Sequence, residues 1–129
     1  MIEIYSDGGS RGNPGEAAIG VIILDDSGII KMHKEKIGKA TNNAAEYKAA
    51  IKGLELAKNY KEVIFYLDSE LVCRQLKGEY KVKDKKLAKL FNEAKKLEKK
   101  IGVIWKNVPR ENKFMQEADK LVNEALDSQ

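Results

Sequence analysis

The sequence predicts an α/β fold: a five-stranded mixed sheet, with strands one to three antiparallel and strands four and five parallel to the first, flanked by helices. Three observations predict it. Three strand patterns open the chain and are joined by short polar turns, which makes an antiparallel meander. A strand, a long helix and a second strand then follow one another, a βαβ unit that sets strand four parallel to strand one. The chain of 129 residues is the size of one domain, taken as 1–129, with a core of its own.

The first strand begins MIEIYSD, with Ile2 and Ile4 on one side and Glu3 and Tyr5 on the other. It is expected to end at Asp7, before a loop holding Gly8, Gly9, Gly12 and Gly15 around Ser10, Arg11, Asn13 and Pro14. Glycine there lets main chain come close to a ligand. A tight turn in which Asp7 makes an Asx-type bond is the alternative. Strand patterns follow at Ala17–Leu24 and Gly28–Ile37, with turn chemistry at Asp25-Asp26-Ser27-Gly28 between them. His33 reads as a partly exposed strand residue rather than a ligand.

Thr41 is a good N-cap for a helix running to about Asn59, whose apolar stripe includes Ala50, Leu54 and Ala57. Glu46 shares that stripe, and a carboxylate there must be paired, hydrogen-bonded or metal-bound to offset its desolvation. Glu62–Leu67 is a nearly continuous apolar run, the pattern of a central strand covered on both faces. It ends at Asp68, and Ser69 caps a short helix to about Leu76. A basic connector, Lys77–Lys83, leads to a helix from Asp84 to about Lys99 with a stripe of Leu87, Leu90, Phe91, Ala94 and Leu97. Ile101–Trp105 is the fifth strand, Val108–Lys113 a polar loop, and Phe114 to about Leu126 the last helix, with Asp119 at the edge of its apolar stripe.

Composition narrows the function classes. Hydrophobic residues make up 43% and charged residues 34% of the chain, and no apolar run approaches the ~20 residues that cross a bilayer. No membrane partner is expected. The single cysteine, Cys73, excludes an internal disulfide and a cysteine-rich zinc site, so a cytoplasmic location is expected and Cys73 reads as a buried, inert thiol. The net charge of +4 is uneven: Arg74 to Lys106 holds 12 basic residues against 4 acidic ones. Such a lobe suits a polyanion, most simply nucleic acid, or is a solvated lysine-rich helix of the thermophile kind.

Four acids stand out by position: Asp7 and Asp68 at the ends of adjacent parallel strands, Glu46 and Asp119 on or beside the inward faces of helices. Ligands of open α/β sheets bind beyond the carboxyl ends of strands. Carboxylates that converge there repel one another and raise their pKa values unless hard divalent cations neutralise them, and Mg²⁺ is the expected ion. A carboxylate bridging two such ions about 3.5–4 Å apart makes the clamp that cleaves phosphodiesters, one ion activating water and the other stabilising the leaving oxygen. A phosphate-binding P-loop is excluded, because Gly15-Glu16-Ala17 leads into a strand and lacks the Gly-Lys-Ser/Thr entry to a helix.

Asp7-Gly8-Gly9 with Gly12-Asn13-Pro14-Gly15, Thr41-Asn42-Asn43 followed by Glu46, Asp68-Ser69, and Glu117-Ala118-Asp119 together resemble type 1 ribonuclease H. The resemblance spans Met1 to about Leu126. It implies a ribonuclease H-like fold and an endonuclease that hydrolyses the RNA strand of RNA/DNA hybrids, leaving 5′-phosphate and 3′-hydroxyl ends. Asp7, Glu46, Asp68 and Asp119 match the family's metal-binding catalytic acids, with Asp7 the bridge between two Mg²⁺ ions, for which Mn²⁺ is a possible substitute. Asp119 would help hold the ion that activates water, and Glu46 and Asp68 the ion facing the leaving group.

Asn13, Asn42 and Asn43 match minor-groove contacts. Gly8 and Gly9 would offer backbone groups to 2′-hydroxyls, beside Ser69. Lys81, Lys83 and Arg110 complete the expected substrate contacts. Double-stranded RNA is a possible further partner, and a monomer is expected.

Two departures from the family pattern stand out. The loop Asn107–Lys113 lacks the histidine many members carry, leaving Arg110 or Lys113 to substitute. The segment Gly78–Lys86 is too short for a basic helical handle, so phosphate contacts would fall to Lys77, Lys81, Lys83, Lys85 and Lys86. The sequence begins at Met1, which suggests a free-standing enzyme over a domain of a larger fusion. The rival reading is a non-catalytic module on the same fold that binds RNA/DNA hybrid or double-stranded RNA.

Overall fold

A computed structural model describes residues 1–128. Strands β1 (Ile2–Gly12), β2 (Gly15–Asp25) and β3 (Gly28–Ala40) are followed by helix α1 (Asn42–Leu56), strand β4 (Glu62–Leu67) and helices α2 (Glu70–Leu76) and α3 (Lys85–Glu98). Strand β5 (Gly102–Asn107) and helix α4 (Lys113–Asp127) complete the chain. The sheet order is β3-β2-β1-β4-β5. Neighbours β1–β2 and β2–β3 are antiparallel, while β1–β4 and β4–β5 are parallel, as the meander and crossover patterns require.

Alternation along the strands divides the interior in two. Ile4, Val21, Ile23, Val63, Phe65 and Leu67 meet α1 and α2 on one face, where Tyr47, Leu54, Val72 and Cys73 are fully buried and Ala94 of α3 closes the layer. Tyr5, Ile22 and Leu24 meet Met115, Ala118 and Leu121 of α4 on the other. Side-chain caps begin the helices where the sequence places them: Thr41, Ser69 and Asp84 accept from the amides of Ala44, Val72 and Leu87.

The structure corrects the sequence reading of the strands in two places. Asp7 does not end its strand: β1 continues to Gly12, because β2 bonds with it all the way to the Gly12–Gly15 turn. The parallel pairing with β4 does stop early, at Tyr5 opposite Tyr66, so Asp7 still lies beyond the end of the parallel pair, on the side where Asp68 follows β4. Strand β4 is also not covered on both faces. Val63, Phe65 and Leu67 are buried, but Ile64 and Tyr66 are only half-buried, because α4 packs on β1, β2 and β3.

Candidate metal centre and nucleic-acid interface

Three acids are brought together by three different elements. Asp7 stands on β1, Glu46 on the first turns of α1, and Asp68 just after β4; each offers a carboxylate oxygen within 4.8 Å of the others. Gly8 makes this approach possible. A Cβ on it would lie 2.1 Å from the carbonyl oxygen of Ala45, so only glycine lets α1 press onto the strand at this level. The Gly8 amide donates to Glu46 Oε1 at 2.8 Å, while Glu46 Oε2 is buried without a partner.

The three carboxyl groups are electrostatically frustrated. Burial, together with the charges of Asp68 and Asp119, pushes Asp7 up to about 7, against a lowering hydrogen bond with Glu46. Glu46, 6% exposed, is raised well above the ordinary carboxylate range by burial, then by Asp7 and Asp68. Asp68 is raised mainly by burial, with the Arg110 guanidinium opposing.

Asp119 is exposed on α4 and stands outside the 4.8 Å cluster, yet it faces the same cavity. Its helix is seated by Gly20, opposite Asp7 on β2, where a Cβ would lie 2.4 Å from Ala118 O. Asn123, one turn on, donates to Asp119 Oδ2 at 3.3 Å.

These four acids line a cavity of about 400 Å³ together with Gly8, Gly9, Asn42, Asn43, Ser69 and Arg110. Arg110 Nε lies 3.6 Å from Asp68 Oδ2, with its side chain 83% exposed. Lys113 instead sets its ammonium 5.6 Å from the Phe114 ring centroid, so Arg110 is the loop cation at the acids.

Other expected contacts are placed elsewhere. Asn13 lines a neighbouring cavity of about 600 Å³ with Lys39, Thr41 and Lys86; Asn42 and Asn43 line both. Asn13 Oδ1 accepts from the Asn42 amide at 3.0 Å, and Asn42 Oδ1 accepts from the Ser10 amide and hydroxyl at 3.0 Å. These side chains thus lock the β1–β2 hairpin to α1 as well as facing outward. Lys81 and Lys83 are exposed on the connector and line neither cavity. Lys39, which the sequence reading missed, stands at the end of β3, two residues before Thr41, and joins Asn13 and Lys86 in lining the second cavity.

The donor set suits a hard divalent cation. It is all oxygen, its charge has no buried counter-ion among the described residues, and one buried oxygen of Glu46 is left over for a ligand. A carboxylate cluster beyond the end of a parallel strand pair, on a meander crossed to a βαβ unit, makes a candidate divalent-metal site.

A family model described as Reverse transcriptase-like matches residues 5–125. A ribonuclease HI of Halobacterium salinarum is 40% identical over 98% of this chain and 64% of its own length. A bifunctional protein of Mycobacterium tuberculosis is 40% identical, and there the chain spans 36% of the relative's length. Among solved structures, LC11 ribonuclease H1 in complex with RNA/DNA hybrid superposes with TM-score 0.92 at 40% identity, over 98% of this chain and 97% of that one. The chain belongs to the type 1 ribonuclease H family. It covers about a third of the mycobacterial relative and just under two thirds of the halobacterial one.

Proposed function

We propose that this protein is an endonuclease hydrolysing the RNA strand of RNA/DNA hybrids with two divalent metal ions, leaving 5′-phosphate and 3′-hydroxyl ends. The observation that carries this reading is the cluster of Asp7, Glu46 and Asp68 within 4.8 Å, with Glu46 Oε2 buried and unpartnered. Asp7, Glu46, Asp68 and Asp119 would hold the ions, Mg²⁺ in the first instance and Mn²⁺ in its place. When bound, the ions neutralise the carboxylates, lower the pKa of the attacking water and stabilise the leaving oxygen.

The chain's own groups do the rest. The Gly8 amide fixes one oxygen of Glu46, so that the carboxylate is oriented before substrate arrives. Gly8 and Gly9 offer main chain at the cavity wall where RNA 2′-hydroxyls are read, flanked by Asn42, Asn43 and Ser69. Asn13 extends this surface into the second cavity. Arg110 supplies a cation for the scissile or departing phosphate, in the role that a loop histidine fills in many family members. Lys81 and Lys83 contact phosphates without reading sequence. The connector between α2 and α3 carries no helix, so the enzyme is of the handle-free kind. We further infer one catalytic domain over 1–129, acting as a monomer in the cytoplasm; no helix of the described residues is long and apolar enough to cross a membrane.

The test is cleavage of an end-labelled RNA/DNA hybrid in Mg²⁺ beside the same RNA as duplex RNA and as single strand. Hybrid-selective cutting that EDTA stops, with products extendable from a 3′-hydroxyl, is expected. Tight hybrid binding without cutting in either metal would replace the enzyme with a binding module.

A further inference from the structure

A polar pair that the carboxylate site does not use is buried behind it. Tyr47, fully buried one residue after Glu46, donates from its hydroxyl to Gln75 Oε1 at 2.6 Å. Gln75 lies on α2, 5% exposed, and donates from Nε2 to the Lys81 carbonyl at 3.3 Å. Burying an amide and a phenol costs free energy unless their polar atoms are satisfied, and an apolar pair would pack here without that demand. What the pair does reach is the connector between α2 and α3.

That connector has no regular structure of its own. Its first half is held by Arg74: the amides of Glu79 and Tyr80 donate to Arg74 O at 2.8 and 3.2 Å, and the guanidinium pairs with Glu79 and lies 5.4 Å from the Tyr80 ring centroid. Its far end is held by Asp84, which caps α3. Between them, over Lys81–Lys83, the hydrogen bond from Gln75 is the one that grips the main chain among the described residues. The chain then passes into Asp84 and Lys86, which line the same cavity as Asn42 and Asn43, and these two asparagines also line the acidic cavity.

We propose that Gln75, set in place by Tyr47, is a positioning residue that holds the Lys81–Lys83 segment ready for the phosphates of the hybrid. The inference rests on the hybrid reading above. A lysine segment fixed before binding spares the ordering entropy that a free one loses on contact. Because Tyr47 follows Glu46 on α1, the grip also ties the phosphate-contacting segment to the helix that carries a central acid.

The experiment measures the dissociation constant of a fluorescein-labelled RNA/DNA hybrid by anisotropy in EDTA, across a salt series and well below each variant's melting temperature. The variants are Gln75→Met, the milder Tyr47→Phe, and a Lys81→Ala/Lys83→Ala double change. Gln75→Met and Tyr47→Phe are expected to weaken binding about three- to tenfold, the scale on which changes away from a ligand modulate its affinity. They should also flatten the plot of log affinity against log salt toward that of the double-lysine variant, since lost phosphate contacts lower the slope and simple destabilisation does not. Unchanged affinity and slope in both, with the double-lysine variant weakened, would overturn the positioning role and leave the hybrid reading standing. A double-lysine variant that binds like wild type would overturn it too, because the segment would then touch no phosphate. A wild-type protein that binds the hybrid neither in EDTA nor in Ca²⁺, which neutralises the same oxygen donors, would overturn both readings.

Discussion

Replacing Asp7 by asparagine should stabilise the metal-free protein while destroying its activity. Asp7 is 7% exposed and its carboxyl is pushed from 3.8 up to about 7, first by burial and then by Asp68 and Asp119. A raised carboxylate pKa means that the folded state binds the extra proton more tightly than the unfolded one, so stability falls as pH rises from about 4 through about 7. At 1.36 kcal/mol per pKa unit the ceiling is about 4 kcal/mol; water in the open cavity screens the charge, so about 2 kcal/mol at pH 8 is the working expectation. For a chain of this length that is about 7 °C in melting temperature. Asparagine keeps the shape and removes the charge. Thermal melts followed by circular dichroism in EDTA, from pH 4 to pH 8.5, would show Asp7→Asn melting above wild type at pH 8 and level with it near pH 4. A variant less stable than wild type at pH 8, or a gain independent of pH, would refute the claim that desolvated charge strains this site. A variant that still cleaved hybrid at the wild-type rate would refute its assignment as the metal bridge.

Three further outcomes follow from the same geometry. Mg²⁺ added to wild type at pH 8 should raise the melting temperature saturably, while Asp7→Asn should show little rise, because a ligand stabilises only the state that binds it. Gly8→Ala should cost about 3 kcal/mol in urea unfolding or displace the start of α1, since its Cβ would meet Ala45 O at 2.1 Å; loss of cleavage should exceed loss of stability because Glu46 moves with the helix. Arg110→Ala should change stability by less than about 1 kcal/mol, its pair with Asp68 being largely exposed on the arginine side. The same variant should lower cleavage and shift the acidic limb of the pH–rate profile upward, because the cation opposing the rise of Asp68 is gone.

Much of this protein was legible in the chain because the signals are local. Strand alternation in Ile2–Tyr5, the Asp25–Gly28 turn, the caps at Thr41, Ser69 and Asp84, and the stripe of α1 all depend on neighbours a few residues away, and the structure places them as read. A buried-facing glutamate at position 46 was a strong clue for the same reason: helical period alone puts it against the sheet, and its charge then demands an ion pair, a hydrogen bond or a metal.

Tertiary structure decided what depends on a distant partner. Whether β1 stops at Asp7 or runs to Gly12 is set by β2 opposite it; whether β4 is covered on its second face is set by where α4 lands. Asn112 was read as loop, yet its side chain accepts from the Phe114 and Met115 amides and starts α4 one residue early, at Lys113. Of the two candidate loop cations, packing of Lys113 against Phe114 leaves Arg110 at the acids. The split of the four acids into a clustered three and an exposed Asp119, like the meeting of Lys39 with Lys86 and the link from Tyr47 through Gln75 to Lys81, joins elements far apart in the chain. Residue type and spacing determine which groups a chain has to offer; only the register of its sheet and the seating of its helices determine which of them meet.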